Sequence, residues 1–258
     1  MNFNGKNILI IGASSGIGEA LARKFSANEC NLILLARRKD KLEEIAGSLE
    51  AKSAKISIYK CDVSNKEGVK NVISEVKEKF GVLHLAIINS GVSSLNKFTE
   101  FDINKAEETI NINILGVINC LAELAPIFKN QGEGIIAGVS SLADTRGFAQ
   151  SGVYCASKAA VTLLLESACI ELSAFNVKVI TIRPGFVKTP MTDKNNFEMP
   201  FLMSVEKAAD IIAEGLRKEK RYIAFPLVMK LLVDFARVIP NFVFEYFGKR
   251  QYKGLIKG

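Results

Sequence analysis

The fold of this chain is decided by the stretch Gly12-Ala13-Ser14-Ser15-Gly16-Ile17-Gly18. It follows an apolar run, Lys6–Ile11, and a helical pattern begins directly after it with Glu19-Ala20-Leu21. A strand that turns on glycines into a helix directs free backbone N–H groups and the positive end of the helix dipole at one point. The stretch therefore predicts a phosphate-binding loop; the alternative is a tight glycine turn that holds no ligand.

Short apolar runs alternate with helical patterns along the rest of the chain, which is typical of βαβ units and of a parallel sheet buried on both faces. The predicted strands are Lys6–Ile11, Asn31–Ala36, Lys55–Lys60, Leu83–Ile88, Gly134–Val139, Val177–Arg183 and Tyr222–Ala224; the predicted helices include 39–51, 65–79, 102–129, 151–175 and 204–218. We predict one α/β domain over residues 1–258, a doubly wound Rossmann fold of about seven parallel strands flanked by helices, with a C-terminal helical extension.

Composition excludes several classes of site. Five widely spaced cysteines without a CxxC pair, together with His84 as the one histidine, predict no metal site and no disulfide framework. We interpret His84 as structural and Cys155 as packing, since a single histidine does not support triad chemistry. The first residues lack the features of a signal peptide and no apolar run is long enough for an ordinary transmembrane helix, so we expect a cytoplasmic protein.

The positive charge is concentrated at the C-terminus. Residues 217–258 hold ten Lys and Arg against three acids, which equals the whole net charge of +7 and predicts no nucleic-acid surface. Residues 227–239 read as a helix with a narrow polar stripe of Lys230, Asp234 and Arg237, and several aromatic residues follow it. We interpret residues 225–258 as an amphipathic, aromatic extension that contacts a membrane or covers a hydrophobic substrate. The alternative is packing against the domain or a second subunit.

The spacing Gly-x-x-x-Gly-x-Gly resembles the loop of the short-chain dehydrogenase/reductase family, and further landmarks of that family follow in order over about residues 5–225. The match at the fourth strand is partial, because the family usually has Asn-Asn-Ala-Gly there. The landmarks are Asn89-Ser90-Gly91 after the fourth strand, Asn113 in Asn-Ile-Leu-Gly, Ser141 after the fifth strand, Tyr154-Cys-Ala-Ser-Lys158, and Pro184-Gly185 after the sixth strand with Val187 and Thr189 just beyond.

The resemblance implies a catalytic set of Asn113, Ser141, Tyr154 and Lys158. Tyr154 and Lys158 are four residues apart on a predicted helix, so they share a face, and an ammonium there is expected to lower the pKa of the phenol. Ser141 would hydrogen-bond the substrate oxygen. In the family, the lysine also holds the nicotinamide ribose and the asparagine supports a proton-conducting water. Singly, these residues could be a surface pair, a helix cap and a backbone partner.

The end of the second strand indicates the cofactor. NAD-preferring sites place an acid there, whereas Ala36 is followed by two arginines. Arg37, with Arg38 as second choice, would bind a 2′-phosphate, and the alternative is a solvated basic surface. Asp62 and Val63 match the family position near the adenine. We therefore predict NADP(H) rather than NAD(H).

The sequence thus predicts an NADP(H)-dependent oxidoreductase, a carbonyl reductase or alcohol dehydrogenase, that moves a hydride between nicotinamide and a ketone, aldehyde or secondary alcohol. Hydrophobic or lipid-like substrates fit the extension, and long-chain 3-keto sphingoid bases are an alternative substrate class. A non-catalytic NADP(H)-binding sensor or scaffold is the alternative function. The expected partners are a small-molecule substrate and further copies of the chain. The substrate loops are expected at 93–100 and 190–203.

Overall fold

A single parallel sheet organises the protein. The computed structural model describes residues 1–49, 53–195 and 197–257. Seven strands lie in the order β3-β2-β1-β4-β5-β6-β7, and every neighbouring pair is parallel. Because the order reverses between β1 and β4, a crevice opens there at the carboxyl ends of the strands. The strands are β1 Asn7–Ile11, β2 Asn31–Ala36, β3 Lys55–Lys60, β4 Leu85–Ile88, β5 Gly134–Val139, β6 Val177–Pro184 and β7 Tyr222–Phe225.

Helices cover both faces of the sheet and bury two hydrophobic cores. One core joins the sheet to α1, α2 and α7, and the other joins it to α3, α5 and α6. This arrangement confirms the predicted doubly wound Rossmann fold. The helices are α1 Gly16–Phe25, α2 Lys39–Leu49, α3 Lys66–Phe80, α4 Ile103–Ile110, α5 Gly116–Gln131, α6 Gly152–Ser173, α7 Val205–Arg217, α8 Leu227–Val238 and α9 Asn241–Lys257.

Several predicted strand and helix boundaries differ from the structure by one or two residues. The fourth strand begins at Leu85 rather than Leu83, because both backbone groups of Leu83 bond the side-chain amide of Gln131, at 2.9 and 2.7 Å. His84 is structural as predicted, since its Nδ1 accepts a hydrogen bond from the Asn7 backbone N–H at 3.1 Å. The predicted helix 39–51 ends at Leu49 in the described part, and its residues 50 and 51 lie outside the described residues.

The predicted helix 102–129 is interrupted by a π-helical segment, Asn111–Leu115, between α4 and α5. The Gly116 N–H donates to the Asn111 carbonyl, so this turn holds one residue more than an α-helical turn. The prediction of one regular helix was wrong here, because hydrophobic spacing does not reveal a single wide turn. Within the described residues, Ile103–Gln131 and Gly152–Ser173 are long and apolar enough to cross a bilayer by length and composition. Both belong to helices that pack on the sheet, so this is weak evidence of a span.

Candidate active site

The glycine loop connects β1 to α1 at the crevice, and its glycines allow close backbone packing. A methyl group at Gly18 would lie 2.1 Å from the Gly12 carbonyl oxygen, and one at Gly12 would lie 2.6 Å from the Ser90 nitrogen. Gly12 and Gly16 also have positive φ, +89° and +58°, which side chains rarely adopt. The Asn89 amide donates to the Gly12 carbonyl at 2.9 Å, so the end of β4 holds the loop in place.

The loop fits the phosphates of a dinucleotide. A side chain at Gly12 or Gly18 would fill the space that the backbone uses, and α1 directs the N–H groups of its first turn at the crevice. Ser15, at the N-cap position of α1, makes no capping bond through its side chain within the described structure. Ile17 is half-buried and packs against the core beneath the loop. Thr189 closes the other side, 3.2 Å from where a methyl group at Gly16 would lie.

The two arginines after β2 reach different partners. Arg38 donates to the hydroxyls of Ser14 and Ser15, at 3.0 and 2.8 Å, so its guanidinium lies on the glycine loop. Arg37 is exposed and lies 3.9 Å from a carboxylate oxygen of Asp62, at the end of β3. The pair therefore flanks one corner of the crevice, with Arg38 on the loop side. The neighbouring Val63 is buried.

Tyr154 and Lys158 share a face of α6, as their spacing predicts, and the Lys158 Nζ lies 5.8 Å from the centre of the phenol ring. Lys158 is 5% exposed and donates to the Val139 carbonyl, at the end of β5, at 3.0 Å. A methyl group at Gly91 would lie 3.3 Å from this Nζ, so the loop after β4 passes directly over the ammonium. The structure thus brings the end of β5, the loop after β4 and α6 to one point.

Burial decides the protonation of both groups. It lowers the pKa of Lys158 to about 8, and it raises the pKa of Tyr154 to about 12, partly opposed by a hydrogen bond with the Ser141 hydroxyl. The expected lowering of the tyrosine pKa by Lys158 is therefore wrong for this structure. The Nζ is turned toward the Val139 carbonyl, and removal from water outweighs the attraction at this distance. At neutral pH the phenol carries its proton and Lys158 is charged.

Asn113 is fully buried in the π-helical segment and holds the loop after β4. Its carbonyl oxygen accepts from the Val92 N–H at 2.8 Å, and its amide donates to the Val92 carbonyl at 2.9 Å and to the Ser157 hydroxyl at 3.0 Å. Asn113 thus does bind backbone groups, which was the alternative role that the sequence left open. Ser157, one residue before Lys158, went unnoticed in the sequence because a small polar residue in a helix gives no signal.

Ser141 lies at the carboxyl end of β5, where it caps a short 3₁₀ turn, Leu142–Asp144, by accepting from the Ala143 N–H at 3.1 Å. Ser141 therefore does act as a helix cap, which was the alternative role that its sequence position suggested. Its hydroxyl also donates to the Pro184 carbonyl, 3.4 Å away, and so links β5 to the end of β6. The next residue, Gly185, donates its N–H to the Phe225 carbonyl at 2.7 Å. Val187 is buried, and its carbonyl accepts from the Thr192 hydroxyl at 2.7 Å, which fixes the turn that carries Thr189.

The comparison with protein families agrees with this geometry. Residues 6–199 match the family model described as short chain dehydrogenase. The chain belongs to the short-chain dehydrogenase family. It is therefore an oxidoreductase of the class that acts on CH–OH and C=O groups. A relative from Arabidopsis thaliana, named 11-beta-hydroxysteroid dehydrogenase-like 2, is 34% identical over 249 residues, which cover 94% of this chain and 80% of that protein.

Two solved structures show how similar this dehydrogenase is to known members. A short-chain dehydrogenase/reductase from Burkholderia phymatum in complex with NAD is 25% identical, with a TM-score of 0.83 over 91% of this chain and 93% of that one. An alcohol dehydrogenase from the archaeon Thermococcus sibiricus, complexed with 5-hydroxy-NADP, is 28% identical, with a TM-score of 0.78 over 86% of this chain and 95% of that one.

This dehydrogenase also contains a buried ionic network beside Ser141, which its sequence did not reveal. The Asp144 side chain is 2% exposed and accepts from two nitrogens of Arg183, at 2.8 and 2.6 Å, and from the Thr162 hydroxyl at 2.6 Å. Arg183 also lies 3.5 Å from a carboxylate oxygen of Asp234 on α8. The one available signal was the charged Arg183 near the end of a mostly buried strand. The network joins the turn after Ser141 to β6 and to the C-terminal extension.

Proposed function

We propose that this protein is an NADP(H)-dependent carbonyl reductase that uses Tyr154 as proton donor. The observation that carries the proposal is the convergence of the glycine loop, Lys158 and the Tyr154–Ser141 pair at the crevice where the strand order reverses. Ligands of doubly wound sheets bind at such a point. A nicotinamide cofactor supplies the hydride when it is bound. The chain's own residues then position the carbonyl oxygen and deliver a proton to it.

Reduction is the direction that the protonation states favour. A phenol whose pKa is about 12 keeps its proton at neutral pH, and it is therefore ready to donate when negative charge builds on the substrate oxygen. The charged Lys158 lies close enough to stabilise the phenolate that remains. Ser141 adds a second hydrogen bond to the same oxygen. Asn113 holds the loop that passes over Lys158 and so keeps the ammonium in place.

The preference for NADP(H) over NAD(H) rests on the corner formed by Arg37 and Arg38. The Arg38 guanidinium beside the hydroxyls of Ser14 and Ser15, together with the exposed Arg37 next to it in the chain, offers a phosphate several charged donors at once. Asp62, which faces Arg37, lies where the family contacts the adenine. The solved relatives include complexes with NAD and with an NADP derivative, so the preference is a property we propose for this chain from its own arginines.

An apolar substrate is supported by the mouth of the crevice. Phe98 is 79% exposed and stacks on Phe101 with ring centres 5.5 Å apart. Its ring lies 3.3 Å from where a methyl group at Gly152 would lie, at the start of α6 and two residues before Tyr154. Phe148, on the loop between Ser141 and Tyr154, is also exposed. The name of the Arabidopsis relative adds a hydroxysteroid to the candidate substrates, beside long-chain 3-keto sphingoid bases. A non-catalytic NADP(H)-binding sensor is disfavoured by the assembled Tyr154, Lys158 and Ser141.

We also propose the assembly and location of the protein. The outer faces of α5 and α6 expose Ile118, Leu163 and Ile170, and the π-helical segment before α5 exposes Leu115, which suits contact between copies in a homo-oligomer. The location we propose is the cytoplasm, with peripheral membrane contact through residues 225–258.

Replacement of Tyr154 by phenylalanine tests the proposed reaction, because it removes the hydroxyl and keeps the ring. Single-turnover reduction of an apolar ketone should slow by about 100-fold or more, while NADPH affinity stays unchanged. Cys155→Ser, which changes the next side chain without touching the phenol, serves as the control and should stay near the parental rate. Parental rates in Tyr154→Phe would refute the assignment. An inactive parent protein that still binds NADPH would favour the sensor.

A further inference from the structure

The helix α8 exposes most of its apolar residues to solvent instead of packing them on the domain. Among its residues, all of which the structure describes, Val233 is the one that is buried. Of its polar stripe, Lys230 and Asp234 are half-buried beside the domain, where Asp234 pairs with Lys230 at 2.6 Å and with Arg183 at 3.5 Å, while Arg237 is exposed. The solvent-facing side is wholly apolar over an arc of about 140°. It consists of Leu227, Val228, Leu231, Leu232, Phe235 and Val238, each more than half exposed.

The next helix, α9, continues this face with aromatic rings and cations. Phe242 and Tyr246 are 75% and 61% exposed. At 3.6 residues per turn, Lys249, Arg250 and Lys253 fall within about 100° of arc with these two rings. We name the apolar side of α8 and this side of α9 together the α8–α9 face. Apolar side chains edged by aromatic rings and cations are typical of surfaces that lie at the headgroup level of a bilayer.

The α8–α9 face is fixed to the loop that joins Ser141 to Tyr154. Arg146 donates to the Ala236 carbonyl at 2.9 Å and to the Asn241 side chain at 2.7 Å, at the corner between the two helices. Its guanidinium also lies 5.1 Å from the centre of the Phe244 ring, which contacts Phe148 edge-on. The face therefore belongs to the rigid frame of the active site and lies beside its mouth.

We infer that the α8–α9 face docks on a bilayer that contains anionic lipids. The charges of α9 decide against a second copy, since a two-fold contact through this face would bring Lys249, Arg250 and Lys253 toward their own equivalents. An anionic surface attracts the same cations. Contact between copies also has a separate apolar surface on α5 and α6. The inference stands apart from the proposed reaction, because it depends on the surface of α8 and α9 alone.

The test is co-sedimentation of the full chain with vesicles of phosphatidylcholine alone or mixed with phosphatidylserine in roughly a three-to-one ratio. We expect binding to the mixed vesicles that weakens at high salt. Leu231→Glu should reduce it by about 10-fold or more, since an apolar contact is lost and a repelled charge is added. Ile103→Glu is the matched control, because both side chains are 57% exposed. Replacing Lys249, Arg250 and Lys253 by glutamine should reduce binding on the order of 100-fold.

Two results would overturn the inference. One is a parent protein that stays in the supernatant with both kinds of vesicle. The other is a Leu231→Glu protein that changes from dimer to monomer in size-exclusion chromatography while its vesicle binding is unchanged, which would assign the face to a second copy. Retained NADPH binding shows that Leu231→Glu is folded. Tyr154→Phe should sediment like the parent, so failure of the proposed reaction and failure of docking are seen separately.

Discussion

The buried Asp144–Arg183 pair should be one of the most sensitive positions for stability. Asp144→Asn keeps the size of the side chain, but removes the negative charge and turns an N–H donor toward the guanidinium, which has no acceptor to offer. Removal of one partner from a buried ion pair costs about 3–5 kcal/mol. Asp234 remains near Arg183, at 3.5 Å and partly exposed, so it retains some of the compensation. We therefore expect a loss at the lower end, about 3 kcal/mol.

Urea unfolding at neutral pH measures this loss as a lower midpoint urea concentration, while the dependence of the unfolding free energy on urea concentration stays unchanged. Asp210→Asn is the control, because the Lys24–Asp210 pair has an equally short distance of 2.6 Å but both side chains are more than half exposed. Exposed pairs contribute about 1 kcal/mol or less, so the control should unfold close to the parent. If Asp144→Asn loses no more stability than Asp210→Asn, the buried Asp144–Arg183 pair does not stabilise the protein more than an exposed pair does.

The cofactor corner and the lysine give two further expectations. Arg38→Ala should weaken NADPH binding by about 10-fold or more and leave NADH binding unchanged, because charged hydrogen bonds to a phosphate contribute about 1.5–3 kcal/mol each. Calorimetric titration measures the affinity for both nucleotides, and Arg23→Ala on α1 is the control. A parent protein that binds NADH more tightly than NADPH would refute the proposal. Burial lowers the pKa of Lys158 to about 8, so its charge is present below that pH and is lost above it. The kcat/KM for reduction should therefore fall with rising pH above about 8, and in Lys158→Arg this fall should be smaller. A parental kcat/KM that stays constant up to about pH 10 would contradict the role of the Lys158 charge.

The sequence predicted the fold well because each strand and helix carries its own periodicity, and the motifs lie where strands end. Tyr154 and Lys158 could be paired from four-residue spacing alone. Their pKa values could not be predicted, because these depend on the burial of Lys158 against the Val139 carbonyl at the end of β5 and beneath Gly91 in the loop after β4. The same limit hid the Asp144–Arg183 pair, whose members are 39 residues apart.

The orientation of side chains relative to other elements was the second property that local sequence patterns could not predict. The sequence ranked Arg37 before Arg38 for the phosphate, yet in the structure Arg38 lies on the loop hydroxyls, because Ser14 and Ser15 from another element attract it. In the same way, the spacing of Lys230, Asp234 and Arg237 predicted an amphipathic α8. It could not predict that Lys230 and Asp234 are half-buried beside the domain, since this is decided by Arg183 on β6.

The π-helical segment Asn111–Leu115 also determines how the chain tolerates changes in length. Deleting one residue there would allow an unbroken α-helix from α4 to α5, and the local hydrogen bonding would become more regular. It would, however, rotate α4 by about 100° relative to α5. Ala106 and Thr109, both buried now, would turn away from their packing partners, or Asn113 would leave Val92 and Ser157. A deletion that makes this helix more regular should therefore reduce activity, and a scan of single-residue deletions should find this turn intolerant.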